Sequence, residues 1–158
     1  MFRIGQGYDL HRVASGRGLF LGGVSIPWEK GLVGHSDADV LIHAIMDALL
    51  GASGMGDIGQ HFPETDPAFK NVKSRDLLTE VIGLVESKKF KIINIDATII
   101  CQSPRLSEFI PKMIENIAVD CKCEESQVNI KATTTEMMGF IGRSEGIAAQ
   151  CSCLIESF

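Results

Sequence analysis

The sequence predicts an α/β fold, an α+β sandwich in which one sheet of about four to five strands is covered by three helices. Two observations predict it. Segments in which apolar and polar residues alternate with period 2 recur along the chain, and three segments with the 3.6-residue period of an amphipathic helix lie between them. No repeat, low-complexity stretch or Pro/Ser-rich linker interrupts the 158 residues, so 1–158 is expected to form a single domain.

The elements follow in order. Period-2 segments near residues 2 to 6 and 19 to 26 predict strands. Ser36-Asp37-Ala38-Asp39 has the pattern of a capping box, so a first helix is expected to start there and to run through Val40–Leu50, with Gly51 in the C-terminal cap position. Residues 51–67 form a connection longer than most and carry Phe62, Ile58, Asp57 and His61 among glycines, which predicts a ligand-binding loop. A second helix is expected from about Ser74 to Lys88, with Leu77, Leu78, Val81, Ile82 and Val85 inward. Ile93, Ile95, Ala97, Ile99 and Cys101 mark one face of a strand over 92–101. The third helix shows the clearest periodicity, through Leu106, Phe109, Ile110, Met113, Ile114, Ile117 and Ala118, with Ser107 as its cap and Pro111 in the first turn. Strands near 128–134 and 147–157 complete the set.

Composition excludes several classes of function. With 15 Lys+Arg against 20 Asp+Glu, a net charge of -5 and a pI near 5.3, the chain lacks the basic face that sequence-independent nucleic-acid binding requires. A charged fraction of 22% of mixed sign with a mean hydropathy of +0.15 is the opposite of a disordered composition. No apolar run reaches the ~18 to 20 residues of a membrane span, and Met1-Phe2-Arg3-Ile4-Gly5 does not resemble a signal or transit peptide, so a soluble, cytoplasmic protein is expected. The five cysteines, an odd number, are expected as free thiols. Cys121/Cys123 and Cys151/Cys153 are each separated by one residue, whereas zinc thiolates usually have two to four between them.

Several residue groups carry chemistry. Gly54-Met55-Gly56-Asp57-Ile58-Gly59 matches the dinucleotide fingerprint in letters only, because it follows a helix and enters a loop instead of following a strand and opening a helix. Asp9 and His11, two apart in an extended segment, project to one side where a single ion could meet both; a surface hydrogen bond is the plainer alternative. His43 lies within an otherwise apolar helix with Asp39 and Asp47 four residues to either side, either as a metal ligand oriented by a carboxylate or as part of a solvent-facing stripe. Asp9, His11 and His43 together supply three N/O donors without a thiolate, the set of a catalytic zinc that keeps one open position.

His35-Ser36 precedes the first long helix, where unpaired N–H groups favour phosphate; a good N-cap alone would also account for Ser36. Thr133-Thr134-Thr135-Glu136 at a strand end, followed by Gly139, Phe140, Gly142 and Arg143, could bind phosphate oxygens and a hard divalent cation, although consecutive threonines are also ordinary strand residues.

In combination these motifs resemble the 2-C-methyl-D-erythritol 2,4-cyclodiphosphate synthases, a family of the non-mevalonate pathway of isoprenoid (terpenoid) biosynthesis. The resemblance rests on Gly7-Tyr8-Asp9-Leu10-His11-Arg12, His35-Ser36-Asp37-Ala38-Asp39-Val40, Gly56-Asp57-Ile58-Gly59, Phe62-Pro63-Glu64-Thr65-Asp66, Lys131 to Glu136, Gly139-Phe140 and Gly142 to Gly146, and spans almost the whole chain. It implies a homotrimeric lyase with active sites between neighbouring subunits. The substrate would be 4-diphosphocytidyl-2-C-methyl-D-erythritol 2-phosphate, whose 2-phosphate attacks its own β-phosphorus and expels CMP.

Carried over by the resemblance, Asp9, His11 and His43 would hold Zn²⁺, Glu136 would hold Mg²⁺ or Mn²⁺, and His35 and Thr134 would stabilise the transition state. Leu10, Ser36, Asp57, Ile58, Gly59, Phe62, Pro63, Glu64, Thr65 and Asp66 would line the substrate together with Thr133 and Thr135. Cys101, Gln102, Ser103, Pro104, Arg105, Leu106 and Ser107 would form the cytosine pocket. Phe140 and Arg143 fall where the family lines an axial cavity that takes an isoprenoid diphosphate. Glu64 stands where an Asp is common, Met137 where a charged residue is common, and the wording of 101–105 departs from the family's. Two other functions stay open on sequence grounds: a zinc-dependent phosphohydrolase using the same three ligands, and a non-catalytic trimeric module binding isoprenoid diphosphates around a structural zinc.

Overall fold

Glycines decide how the first strand sits. In the computed structural model, which describes residues 1–158, β1 spans Phe2–Ser15; Gly5 and Gly7 are buried on one side while Ile4, Tyr8 and Leu10 are exposed on the other. The strand continues nine residues beyond the expected segment because Asp9, His11 and Val13 keep the alternation on the inward side. Leu19–Leu21 (β2) and Val24–Ile26 (β3) form a separate two-stranded hairpin and do not join the main sheet. Gly22 and Gly23 turn it with φ of +59° and +71°, values that favour glycine. A short unforeseen strand, β4 (Lys30–Leu32), pairs with the end of β1.

The helices are α1 (Val40–Ser53), α2 (Ile58–His61), α3 (Ser74–Ser87), α4 (Ile110–Cys121) and α5 (Gly139–Gly142), and the later strands are β5 (Phe90–Ile100), β6 (Val128–Thr133) and β7 (Gly146–Ser157). The main sheet has the order β4-β1-β7-β5-β6. All neighbours are antiparallel except β5 and β6, which run parallel and so need the crossover that α4 provides. One sheet covered by three long helices is the predicted fold class; α2 and α5 are single turns.

Two caps differ from expectation. Helix α1 is capped by Asp39, whose carboxylate accepts from the Ile42 N–H, and it runs on past Gly51 to a left-handed Gly54. There the Gly54 N–H bonds to the Gly51 carbonyl and the Met55 N–H to that of Leu50, which satisfies the orphaned carbonyls later than Gly51 would. Helix α4 starts at Ile110 after Phe109 with no side-chain cap, so Ser107 lies outside it.

The core lies between one face of the sheet and the helices. From Val40 to Leu50 every residue of α1 but Asp47 is buried, because the helix is packed between β1, β7 and α3. A helix that is apolar all round is stable only when covered in this way. Leu77, Leu78, Val81, Ile82 and Val85 of α3 are buried as their spacing predicts. No helix is long and apolar enough to cross a membrane. All five cysteines are free, and burial raises the thiols of Cys101 and Cys153 to about 12 and about 11. None joins a cluster of metal-binding geometry.

Candidate metal centre

Asp9 and His11 project from the inward side of β1, opposite Ala149 and Ile147 of β7. His43 occupies the first turn of α1, whose start is pinned by Asp39. The Asp39 carboxylate is fully buried and accepts from the backbone N–H groups of Gly22, Gly23 and Ile42 at 3.0, 2.7 and 3.1 Å. Three peptide dipoles thus lock the helix start to the β2–β3 turn. Burial nevertheless pushes the Asp39 carboxyl up to about 6.

The three predicted ligands meet. Asp9 Oδ2 lies 2.8 Å from His11 Nε2 and 2.9 Å from His43 Nδ1, and the two imidazole nitrogens are 3.1 Å apart. Among His, Cys, Asp and Glu side chains, this is the one group of three whose donor atoms converge as a metal site requires. At His11 the far nitrogen, Nδ1, donates to the Val33 carbonyl at 2.8 Å, which fixes the ring with Nε2 turned toward Asp9. At His43 the far nitrogen, Nε2, lies 3.0 Å from Ser74 Oγ and 3.2 Å from Ser36 Oγ.

The donor set fits a divalent ion. Tetrahedral bonds of roughly 2.0–2.1 Å would separate neighbouring donors by about 3.3 Å, close to the triangle observed. Burial works to raise the Asp9 carboxyl, but hydrogen bonds and charge from His11 and His43 outweigh it and hold it well below the usual carboxylate range. For His11, burial works to lower the imidazole, while Asp9, the Val33 carbonyl and Glu64 raise it above its ordinary value. The pocket therefore favours positive charge at the point where the donors meet.

A cavity opens over this triangle, lined by His35, Ser36, Ile58, Gly59, Phe62 and Glu64 among others, so half of the loop residues assigned to the substrate gather here. Phe62 stacks edge-on against Phe69 at 5.4 Å, closing one wall. His35 Nε2 reaches the Asp66 carbonyl at 3.3 Å, and the Asp66 side chain caps the short 3-10 turn Pro67–Phe69. Asp57 caps α2, is exposed, and lies outside the cavity lining. Pro63 and Thr65 follow the same loop without lining the cavity.

The residues assigned to the cytosine pocket form a second cleft. Cys101 to Ser107 line it with Ala132, Thr133 and Thr134, where the end of β5 meets the end of β6 and the Cys101 N–H bonds to the Thr133 carbonyl at 2.9 Å. Thr134 Oγ1 accepts from the Glu136 N–H at 3.2 Å in a turn where Glu136 and Met137 have φ of +53° and +64°. Gln102 Oε1 accepts from the Met137 N–H at 3.0 Å, tying this turn to the 101–107 loop. Thr135 Oγ1 donates to the Met138 carbonyl.

Within one chain the two clefts stay apart. Asp9 pairs with Ala149, Ala149 with Ile99 and Ile99 with Ala132, which places the clefts at one level of the sheet but three strand spacings apart, about 14 Å. Phe140 and Leu10 flank Gly146 on the open face of the sheet, and Arg143 pairs with Glu145 at 2.7 Å.

Asp39 and Asp47 do not orient His43, contrary to the spacing argument: Asp39 is taken up by its three backbone donors, and Asp47 accepts from the Ile58 N–H at 2.8 Å. Sequence reasoning passed over Ser74, Asp37 and the Val33 carbonyl. Ser74 carries no motif, Asp37 reads as part of a capping pattern for a different helix, and the third is a backbone atom.

The chain matches the model of the YgbB family over residues 2–156. It is 54% identical over 158 residues to the 2-C-methyl-D-erythritol 2,4-cyclodiphosphate synthase of Methylobacillus flagellatus, covering 100% of this chain and 99% of that one. Among solved structures it is similar to the bifunctional IspDF of Campylobacter jejuni, with a TM-score of 0.97 and 45% identity over 100% of this chain; it spans 43% of that larger protein. It is also similar to the CDP complex of IspF from Plasmodium falciparum, with a TM-score of 0.87 and 34% identity, covering 99% of this chain and 96% of that one.

Proposed function

The chain belongs to the YgbB family, that of the 2-C-methyl-D-erythritol 2,4-cyclodiphosphate synthases, and from this premise we propose how its residues carry out the reaction. It is an enzyme of the non-mevalonate isoprenoid pathway that converts 4-diphosphocytidyl-2-C-methyl-D-erythritol 2-phosphate to 2-C-methyl-D-erythritol 2,4-cyclodiphosphate and CMP. An oxygen of the 2-phosphate forms a bond to the β-phosphorus, the bond from that phosphorus to the bridging oxygen breaks, and CMP leaves with the bridging oxygen. The step makes the enzyme a phosphorus-oxygen lyase.

An ionised phosphate is already a nucleophile, so no side chain need attack and no general base need activate it. The protein's task is to hold two mutually repelling anions in line and to stabilise the charge of the leaving group. Asp9, His11 and His43 would hold a divalent ion, here assigned as Zn²⁺ because two imidazoles and one carboxylate without a thiolate are the ligand set of an open zinc site. Such an ion supplies charge neutralisation and polarises a phosphoryl oxygen. Glu136, a carboxylate among hydroxyls, suits a harder ion, Mg²⁺ or Mn²⁺. His35 and Thr134 donate to phosphate oxygens. Ser36, Ile58, Gly59, Phe62 and Glu64 enclose the erythritol end, with Leu10, Asp57, Pro63, Thr65 and Asp66 in the flanking segments and Thr133 and Thr135 beside Thr134. Residues Cys101 to Ser107 receive the cytosine, in keeping with the CDP bound to the Plasmodium falciparum protein.

The distance between the two clefts in one chain supports a trimer in which the metal cavity of one subunit faces the 101–107 cleft of its neighbour. The open sheet face, with Ile4, Tyr8 and Leu10 exposed, would be covered by that assembly, and Phe140 and Arg143 would border an axial cavity able to take an isoprenoid diphosphate. The whole chain, 1–158, acts as one cyclodiphosphate synthase domain in the cytoplasm.

The observation that carries the reading is the convergence of Asp9 Oδ2, His11 Nε2 and His43 Nδ1 at the base of the cavity. Incubation with the diphosphocytidyl substrate should release CMP together with a cyclic diphosphate, detected by mass, and a chelator should stop the release. Ring-free phosphate products would instead make the enzyme a hydrolase.

A further inference from the structure

His43 ligates through one nitrogen, and something must keep the proton on the other. Ser74, the first residue of α3, is fully buried, and its Oγ lies 3.0 Å from His43 Nε2 and 2.5 Å from Asp37 Oδ1. A carboxylate has only lone pairs to offer, so the Ser74 hydroxyl donates to Asp37. With its proton so engaged, Ser74 Oγ can only accept from His43, and Nε2 must carry the hydrogen. Ser36 Oγ, 3.2 Å from the same nitrogen, does not decide the matter, because its own hydroxyl is free to point either way.

Asp37 is itself held in place. Its Oδ2 accepts from the Ser74 N–H at 3.0 Å and its Oδ1 from the Asp39 N–H at 3.2 Å. Lys73, the residue preceding α3, makes no side-chain cap bond, so Asp37 caps the helix from another segment of the chain, at the end where the dipole favours negative charge.

We propose that Asp37 and Ser74 are positioning residues that fix His43 with its proton on Nε2, leaving the Nδ1 lone pair to bind the divalent ion beside Asp9 and His11. The proposal rests on the reading that these three residues hold such an ion. Partners behind a ligating imidazole typically change metal affinity about 10- to 100-fold when removed.

The test is the zinc affinity of the full-length protein, measured by competition with a chromophoric chelator, for wild type, Ser74→Ala and Asp37→Asn. Asp37→Asn keeps the size of the side chain and an oxygen for the Ser74 N–H, but presents an N–H donor to the hydroxyl and so reverses the chain of donors. Each variant is expected to bind zinc roughly 10- to 100-fold more weakly. Glu86→Gln serves as control: it weakens the 2.8 Å ion pair that ties the last turn of α3, at the opposite end of that helix from Ser74, to Lys122, and should leave zinc affinity unchanged. Wild-type affinity in both site variants overturns the proposal alone. A wild type that binds no zinc overturns the metal reading as well. Long-range ¹H–¹⁵N spectra of the zinc-loaded wild type should show His43 protonated at Nε2 and metallated at Nδ1, and the reverse pattern overturns the proposal however the variants fold.

Discussion

The backbone of Gly7 lies flush against the carbonyl of Ala44, the residue that follows His43, so closely that a Cβ at position 7 would collide with that oxygen. Gly5 makes the same approach to Ala48. Two strand residues advance about 6.6 Å and four helical residues about 6.0 Å, so β1 and α1 run side by side nearly in step. That register brings Asp9 and His11 level with the first turn of α1, where His43 waits.

Gly7→Ala should therefore damage both fold and site. The added methyl meets backbone, which cannot rotate away, and should cost about 3 kcal/mol or more by denaturant unfolding. Any folded fraction should bind its divalent ion more weakly, because α1 and His43 are pushed from Asp9. Wild-type stability would show that the strand and helix are not locked at this point.

His43→Ala should lose the bound ion and at least about 100-fold in turnover, while far-UV circular dichroism stays that of the wild type. Equal zinc content and equal CMP release in the variant would contradict the ligand assignment.

Glu136→Gln should leave the ion at Asp9, His11 and His43 in place and weaken the dependence of activity on added Mg²⁺ or Mn²⁺. The check is a metal titration of CMP release alongside the zinc content; an unchanged titration midpoint would remove Glu136 from the second site.

Asp39 should leave a mark on the pH dependence of stability. Its carboxyl is raised to about 6 in the folded chain, against roughly 4 when unfolded, so the folded state binds the proton more tightly. That contribution is fully present below the unfolded value and is lost as pH rises through about 6. Asp39→Asn should flatten unfolding free energy across this window. Its amide would also set an N–H donor against a backbone donor, at a cost of about 1–3 kcal/mol. A wild-type pH profile in the variant would place the titration elsewhere.

Much of this was legible in the sequence wherever a pattern stays within one element. The two-residue spacing of Asp9 and His11 put both on one side of an extended segment, and the spacing of Leu77, Leu78, Val81, Ile82 and Val85 gave the buried face of α3 correctly. The errors fall at element ends and at pairings. Gly51 looked like a helix stop, but the helix is held by packing and continues to Gly54. Residues 19–26 looked like one strand of the main sheet, but Gly22 and Gly23 fold them into their own hairpin.

By itself the sequence determined which side chains share a face, because a period of 2 or 3.6 is a local property of backbone geometry. Only the tertiary structure decided that Asp9, His11 and His43 meet, that Asp37 reaches His43 through Ser74, and that the 101–107 cleft stands apart from them. Those relationships join residues 31 to 37 positions apart or lie three strands across a sheet, and they depend on strand order and on two glycines that let a helix approach. Periodicity carries no information over that span.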